Sequence, residues 1–226
     1  MCKKSIKVYS PQMPNLVEFK KVAYWHNVWL TTTVILAIST FVFGVLYFSD
    51  GNDLDGKQKL IISVKDQKAY FYANHSLINI YEISTATKGT GQLSGSDQTP
   101  LGEHIVYEKD AANTPYAGRL VGRKYDGHIT TIYYDKSSPS QIYITTRVIR
   151  IMGLEQGYNK GKNKNGQVVD TYERFIYLQG SNIDGRLGTP SSGGSIHFSN
   201  LDIMRLFDMI DLKTHVIIQS ESHHPV

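Results

Sequence analysis

Cysteine occurs once in this sequence, at position 2, and nowhere after it. Everything from Lys3 onward is therefore without disulfides and without thiol chemistry. An excess of one charge is equally scarce, since 24 Lys and Arg face 20 Asp and Glu for a formal net charge of +4. Five of the lysines (Lys3, Lys4, Lys7, Lys20 and Lys21) precede Val28, with Glu18 as the one acid among them. Subtracting these from the totals leaves nineteen charges of each sign for the rest of the chain. A nucleic-acid reader carries its basic stripe on the folded domain. Here the excess is confined to a short tail, and no nucleic-acid partner is expected. There is no internal repeat. With 41% hydrophobic and 11% aromatic residues, the composition is neither disordered nor disulfide-rich. A length of 226 residues admits one domain with accessories, or two small ones.

Charge is missing altogether from Trp29 to Phe48. The run VWLTTTVILAISTFVFGVLYF, Val28 to Phe48, holds 21 residues, enough to cross a bilayer core as a helix. Its three threonines weaken the hydropathy but can bond to the helix backbone. Trp25 and Trp29 at one end, and Tyr47 and Phe48 at the other, suit the two interfaces. A cleaved signal peptide fits less well, because the run outlasts a typical apolar core and no small-residue cleavage site follows. A buried helix fits less well again, because the run is apolar all round. Lysines before it and Asp50, Asp53 and Asp55 after it predict a cytoplasmic N-terminus. The expected layout is a cytoplasmic tail over 1–27, a transmembrane helix over 28–48 and a linker over 49–58. A folded domain follows over 59–220 and a tail over 221–226, both across the membrane. Cys2 has no apolar stretch ahead of it, so it is not a lipoprotein acceptor of the usual kind.

From Lys59 onward short β-branched and aromatic runs alternate with turn signals. Leu60 to Val64, Lys68 to Tyr72 and Ile78 to Ser84 read as three strands. EHIVYE, HITTIYYD, QIYITTRVIRI, RFIYLQG and HVIIQ read as further ones, which predicts a β-sandwich or barrel. One helix is expected at SNLDIMRLFDMI, with Ser199 or Asn200 as its cap and Asp202 in its first turn. Ile203, Met204, Leu206, Phe207 and Ile210 would form its apolar face. The polar stretch Gly157 to Gln167 is either a solvated loop or a flap over a groove.

The segment GTPSSGGSIHFSN, Gly188 to Asn200, carries the chemical question. As a phosphate cradle SSGGS is short and lacks a following lysine. The adjacent His223 and His224 have no third ligand at useful spacing, so no metal is expected. Three segments in order, STATKGTGQ…QTPLGEHIV, TTRVIRIMGLEQGYN…VDTYERFIYLQGS and IDGRLGTPSSGGSIHFSNLDIMRLFDMI, resemble the L,D-transpeptidase family with its YkuD-type catalytic domain. The resemblance spans about Leu60 to Gln219. It implies an envelope protein of mainly β fold with one or two short helices. Peptidoglycan stem peptides, or an envelope protein complex, would be its partners, and no cofactor is implied. A periplasmic domain anchored in an inner membrane is the expected location.

The departures from the family pattern are specific. Gln179 stands where the family keeps the His of its H-G-T motif, followed by matching Gly180 and Ser181. Gly193 replaces the His of S-H-G-C, Ser195 replaces the nucleophilic Cys, and His197 replaces the following Arg, while Ser192, Gly194, Ile196 and Asn200 agree. A serine hydroxyl needs a base at hydrogen-bonding distance, and an amide at 179 takes no proton near neutral pH. No lysine lies near Ser195 in sequence. Two functions follow. One is a non-catalytic module that engages stem peptides through Gln179, Gly180, Ser181, Ser192, Gly193, Gly194 and His197. The other is a transpeptidase or carboxypeptidase built on Ser195, with His197 as its base and His104 and His128 as more distant candidates.

Overall fold

The computed structural model describes Tyr24, Val28, Trp29, Thr32 and Thr33, together with residues 58–137 and 139–225. The chain divides into two units, Met1–Asp53 and Leu54–Val226. In the first, the five described residues are helical. Thr32 Oγ1 donates to Val28 O at 2.9 Å and Thr33 Oγ1 to Trp29 O at 2.8 Å, so these hydroxyls are satisfied by the preceding turn. Among the described residues no helix is long and apolar enough to cross a membrane. Most of the predicted span 28–48, and the linker up to Gln58, lie outside them.

The second unit is a mixed sheet of ten strands: β1 Gln58–Ser63, β2 Lys68–Ala73, β3 Ser76–Ser84, β4 Gly102–Asp110, β5 Gly118–Val121, β6 Lys124–Ile129, β7 Ile144–Gly153, β8 Tyr177–Ser181, β9 Ile196–Phe198 and β10 His215–Gln219. Their order is β4-β10-β1-β2-β3-β9-β8-β7-β5-β6, and a further pairing of β4 with β7 closes eight of them into a ring. The barrel alternative of the sequence reading is the one realised, with the β5–β6 hairpin attached to the start of β7. Two pairs are parallel, β1 with β10 and β8 with β9. Parallel neighbours need long crossovers, and the β8–β9 crossover carries the Ser/Gly loop.

Alternation builds the core. Leu60 and Ile62 of β1, Phe71 of β2, Ile149 and Ile151 of β7 and Ile196 and Phe198 of β9 are at most 1% exposed. A fully buried side chain of this kind contributes about 1.5–3 kcal/mol. The helix, α1 Asn200–Met209, lies against β7 and β8 and buries Ile203, Leu206 and Phe207, while Met204 is half-buried. Ser199 is its cap: its Oγ accepts from Asp202 N at 3.0 Å and donates to Asp202 Oδ2 at 2.7 Å.

One sequence reading needs correction. HITTIYYD is not a strand, because β6 ends at Ile129 and residues 130–135 are irregular. The stretch Gly157 to Gln167 is anchored at its base and solvated at its tip. Asn159, fully buried, sends Nδ2 to Leu101 O and Glu103 O, each at 3.1 Å. Lys164 to Gln167 are exposed, and just beyond them Val168 O accepts from Ser94 N of the Gly-rich loop.

Candidate functional site

Parallel pairing of β8 with β9 sets Gln179 beside His197, and Leu178 beside Ile196. Registered partners share a face, and successive residues alternate. Leu178 and Ile196 therefore enter the core, and Gln179 and His197 lie together on the opposite face. The register continues from Gln179 to Val148 and Asp110, and in the next row from Tyr177 to Arg150 and Glu108. Ser195 extends that second row: Tyr177 N donates to its Oγ at 3.1 Å. The fold thus brings Gln179, distant in sequence, to the same face as Ser195 and His197.

The loop before β9 is held from both sides. Ser192 N donates to Thr85 O and Thr87 N to Ser192 O, at 2.9 and 3.0 Å. Ser192 Oγ accepts from Gly194 N at 3.2 Å and donates to Ser195 O at 2.5 Å. Thr99, fully buried in the T-P-L-G turn, donates its hydroxyl to Gly194 O at 2.9 Å and accepts from Ala86 N at 3.0 Å. The first matching segment of the sequence is thereby a structural brace for the third. Gly194 adopts φ +129°, where any other residue is strained, and a Cβ there would come within 2.9 Å of Ile176 Cδ1. Gly193 is exposed, and a Cβ there would meet nothing within 4 Å.

Gly180 and Ser181 take a different position. A Cβ on Gly180 would stand 2.7 Å from Thr145 O and 3.2 Å from Asn200 Oδ1, and Ser181 is fully buried. Both lie beside the polar hub at Asn200. Its Nδ2 donates to Ser181 O at 2.8 Å and Asp184 Oδ1 at 3.1 Å. Its Oδ1 accepts from the hydroxyls of Thr145, at 2.7 Å, and Thr146. Burial pushes the Asp184 carboxyl up to about 6, although its bonds from Asn200 act in the opposite direction.

Burial pushes His197 down to about 4, because a charged imidazole is disfavoured away from water. Its Nδ1 and the Oε1 of Gln179 are both buried without a hydrogen-bond partner. Among the described residues no side chain accepts a proton from Ser195 Oγ, whose bond is the one from Tyr177 N. The more distant histidines are engaged elsewhere. His104 donates Nδ1–H to Gly102 O and receives Thr171 Oγ1 at Nε2, each at 3.0 Å. His128 is an exposed partner of Asp126. Among the described residues no group of His, Cys, Asp and Glu could hold a metal ion, and His223 is bonded to Tyr72 OH at 2.8 Å.

Sequence reasoning missed the two ion pairs beside Tyr177. Arg123 Nη1 donates to Tyr177 OH at 3.2 Å while its Nε stands 3.3 Å from Asp110 Oδ2. Arg150 pairs with Glu108 and lies 4.0 Å above the Tyr172 ring. No local pattern announces contacts between side chains from separate strands.

The fold is thus a closed β domain in which a Ser/Gly loop feeds a parallel strand pair and a capped helix follows directly. The chain is a member of the L,D-transpeptidase catalytic domain family, YkuD, whose family model matches residues 57–218. Solved structures similar to it include an L,D-transpeptidase from Mycobacterium smegmatis, with 10% identity, TM-score 0.43, and 73% of this chain and 59% of that one covered. Another, from Xylanimonas cellulosilytica DSM 15894, shows 15% identity and TM-score 0.42 over 72% and 60% of the two chains. A third, from Mycobacterium tuberculosis H37Rv, shows 13% identity and TM-score 0.43 over 73% and 58%. The chain thus spans about three-fifths of the length of these structures. No curated protein matches it. Membership rests on the family match along the sequence.

Proposed function

We propose that this protein is a non-catalytic member of its family that binds peptidoglycan stem peptides, or an envelope partner, on the face shared by Ser195, Gln179 and His197. The observation that carries this reading is the environment of Ser195. Its oxygen accepts from the Tyr177 backbone, and among the described residues no base receives its proton. A serine without a bonded base lacks the activation that acyl transfer requires. Where nucleophile and base are both lost, the remaining acceleration is about 10³–10⁴ over water, from binding and oxyanion donors alone. The braces through Thr99 and Ser192 keep the loop in a fixed shape, which suits recognition. The charge pattern of the first 55 residues supports anchoring by segment 28–48, with the domain on the periplasmic side.

One observation favours the serine-enzyme alternative. His197 is two residues from Ser195, and its Nδ1 is without a partner. A base of pKa about 4 is nevertheless weak for this task. The deciding experiment incubates the full-length chain, in detergent, with disaccharide-tetrapeptide and follows protein and products by mass spectrometry. The expected result is binding without adduct or product. An acyl group on Ser195, or a trimmed or cross-linked product that disappears in Ser195→Ala, would establish the enzyme instead.

A further inference from the structure

Strand β2 begins at Lys68, which pairs with Glu82 of β3, so among the described residues the β2 side of the chain has no strand partner past Glu82. Gln67 takes the place of one. Its carbonyl accepts from Ile83 N at 2.9 Å, and its side-chain amide continues the row. Oε1 accepts from Thr85 N at 2.9 Å, while Nε2 donates to Thr85 Oγ1 at 2.7 Å and to Val64 O at 2.6 Å. Thr85 N can only donate and Val64 O can only accept, so the amide has a single orientation. Gln67 is 4% exposed and takes φ +51° in the β1–β2 turn, a left-handed position that glycine or asparagine usually fills. The turn backbone alone would favour glycine. The bonds of the side chain are what a glutamine adds. Asp66 beside it fixes the turn, since its Oδ2 accepts from Ser63 Oγ and from His223 N, each at 2.9 Å.

Gln67 holds the residue that holds the Ser/Gly loop. Thr85 O accepts from both Ser191 N and Ser192 N at 2.9 Å. Ser84 Oγ lies 2.6 Å from Ser191 Oγ, and Ser192 Oγ passes the contact on to Ser195 O. The Thr99 brace acts on Gly194 through a separate bond. The height of Thr85 above the β1–β2 turn, and with it the place of Ser191 and Ser192, is therefore set by one buried amide rather than by a backbone ladder.

We infer that Gln67 is the positioning residue of the Ser191–Ser195 loop, acting through Thr85. The inference rests on the reading of the Ser195 face as a recognition surface. A loop fixed in advance loses little freedom when a ligand binds, whereas a loosened one must be ordered by the ligand itself.

The test compares Gln67→Met with Gln58→Met in the full-length chain in detergent. Gln58 is a matched control: its amide also makes three bonds, to Met209 O, Asp211 N and Thr214 Oγ1, but these lie at the end of α1 and the start of β10. Both variants should lower the melting temperature similarly, by about 3–6 °C. Gln67→Met alone should speed amide hydrogen exchange over residues 189–195 by about tenfold and weaken disaccharide-tetrapeptide binding by about tenfold. Thr85→Val, which removes only the Oγ1 partner, should move both readings the same way by about threefold, and it decides the matter if Gln67→Met does not fold. Exchange over 189–195 that is unchanged, or raised equally by Gln58→Met, overturns the inference. Faster exchange with unchanged binding also overturns it, because the loop would then be held for stability alone. If wild type does not bind the probe, the stem-peptide reading falls, and the exchange comparison by itself decides whether Gln67 positions the loop.

Discussion

The backbone N–H of Tyr177 donates a 3.1 Å hydrogen bond to the hydroxyl oxygen of Ser195. It links the residue before Leu178 on β8 to the residue before Ile196 on β9, and so prolongs the parallel pairing by one step. The hydroxyl of Ser195 is thereby joined to the backbone ladder. Gln179 lies one row away beside His197.

That arrangement predicts the behaviour of an introduced thiol. Ser195→Cys should give a sluggish cysteine with an apparent pKa at or above about 8.5, the ordinary value. Adding Gln179→His should bring an imidazole to the same face and lower that pKa to about 7 or below. Rates of alkylation against pH measure both. If the two variants titrate alike, position 179 does not address position 195.

His197 should remain neutral through the physiological range. Its folded value of about 4 lies below the ordinary 6.5, so between these values the unfolded chain binds the proton that the folded chain refuses. Stability from this group is present above about pH 6.5 and is lost as pH falls toward 4. His197→Phe should therefore flatten the acid side of the stability profile. A ring signal in NMR that titrates near 6.5 would remove this account and revive His197 as a base.

Asp184 should act with the opposite sign. Its folded value of about 6 is above the ordinary 3.8, so the folded state holds the extra proton between them. Its contribution is fully present below about pH 4 and is lost as pH rises through 6. Wild type should gain stability relative to Asp184→Asn when denaturation is compared at pH 4.5 and pH 7.5. Parallel profiles for the two proteins would contradict it.

Asn200 should be the most costly polar substitution in the domain. Asn200→Ala leaves Ser181 O, Asp184 and two threonine hydroxyls without their shared partner. Buried groups left unpaired add up to an expected loss of about 3 kcal/mol, read from urea midpoints. A loss below about 1 kcal/mol would mean that water replaces the amide.

Strands with long alternating runs were legible in the sequence: Leu60 to Val64 lies within two residues of β1, and HVIIQ coincides with β10. The misses have a common cause. β5 and β9 hold four and three residues, too few for a period to register, and both exist because longer strands offer them an edge. HITTIYYD has strand composition but breaks at Ile129. Beyond that point one more bond, Thr130 N to Ala117 O, continues the β5 pairing, and Tyr133 N then turns to Asn182 O.

The sequence by itself determined the family, the helix that follows the Ser/Gly loop and the absence of thiol chemistry in the folded domain. Each of these is written in residues that are neighbours along the chain or fixed by identity alone. The tertiary structure decided what surrounds Ser195. It set Gln179 beside His197, gave the serine to the Tyr177 backbone and braced the loop through Thr99. Those relations arise from the registry of strands distant in sequence and from burial, which shifts His197 and Asp184 in opposite directions because one is charged when protonated and the other when deprotonated.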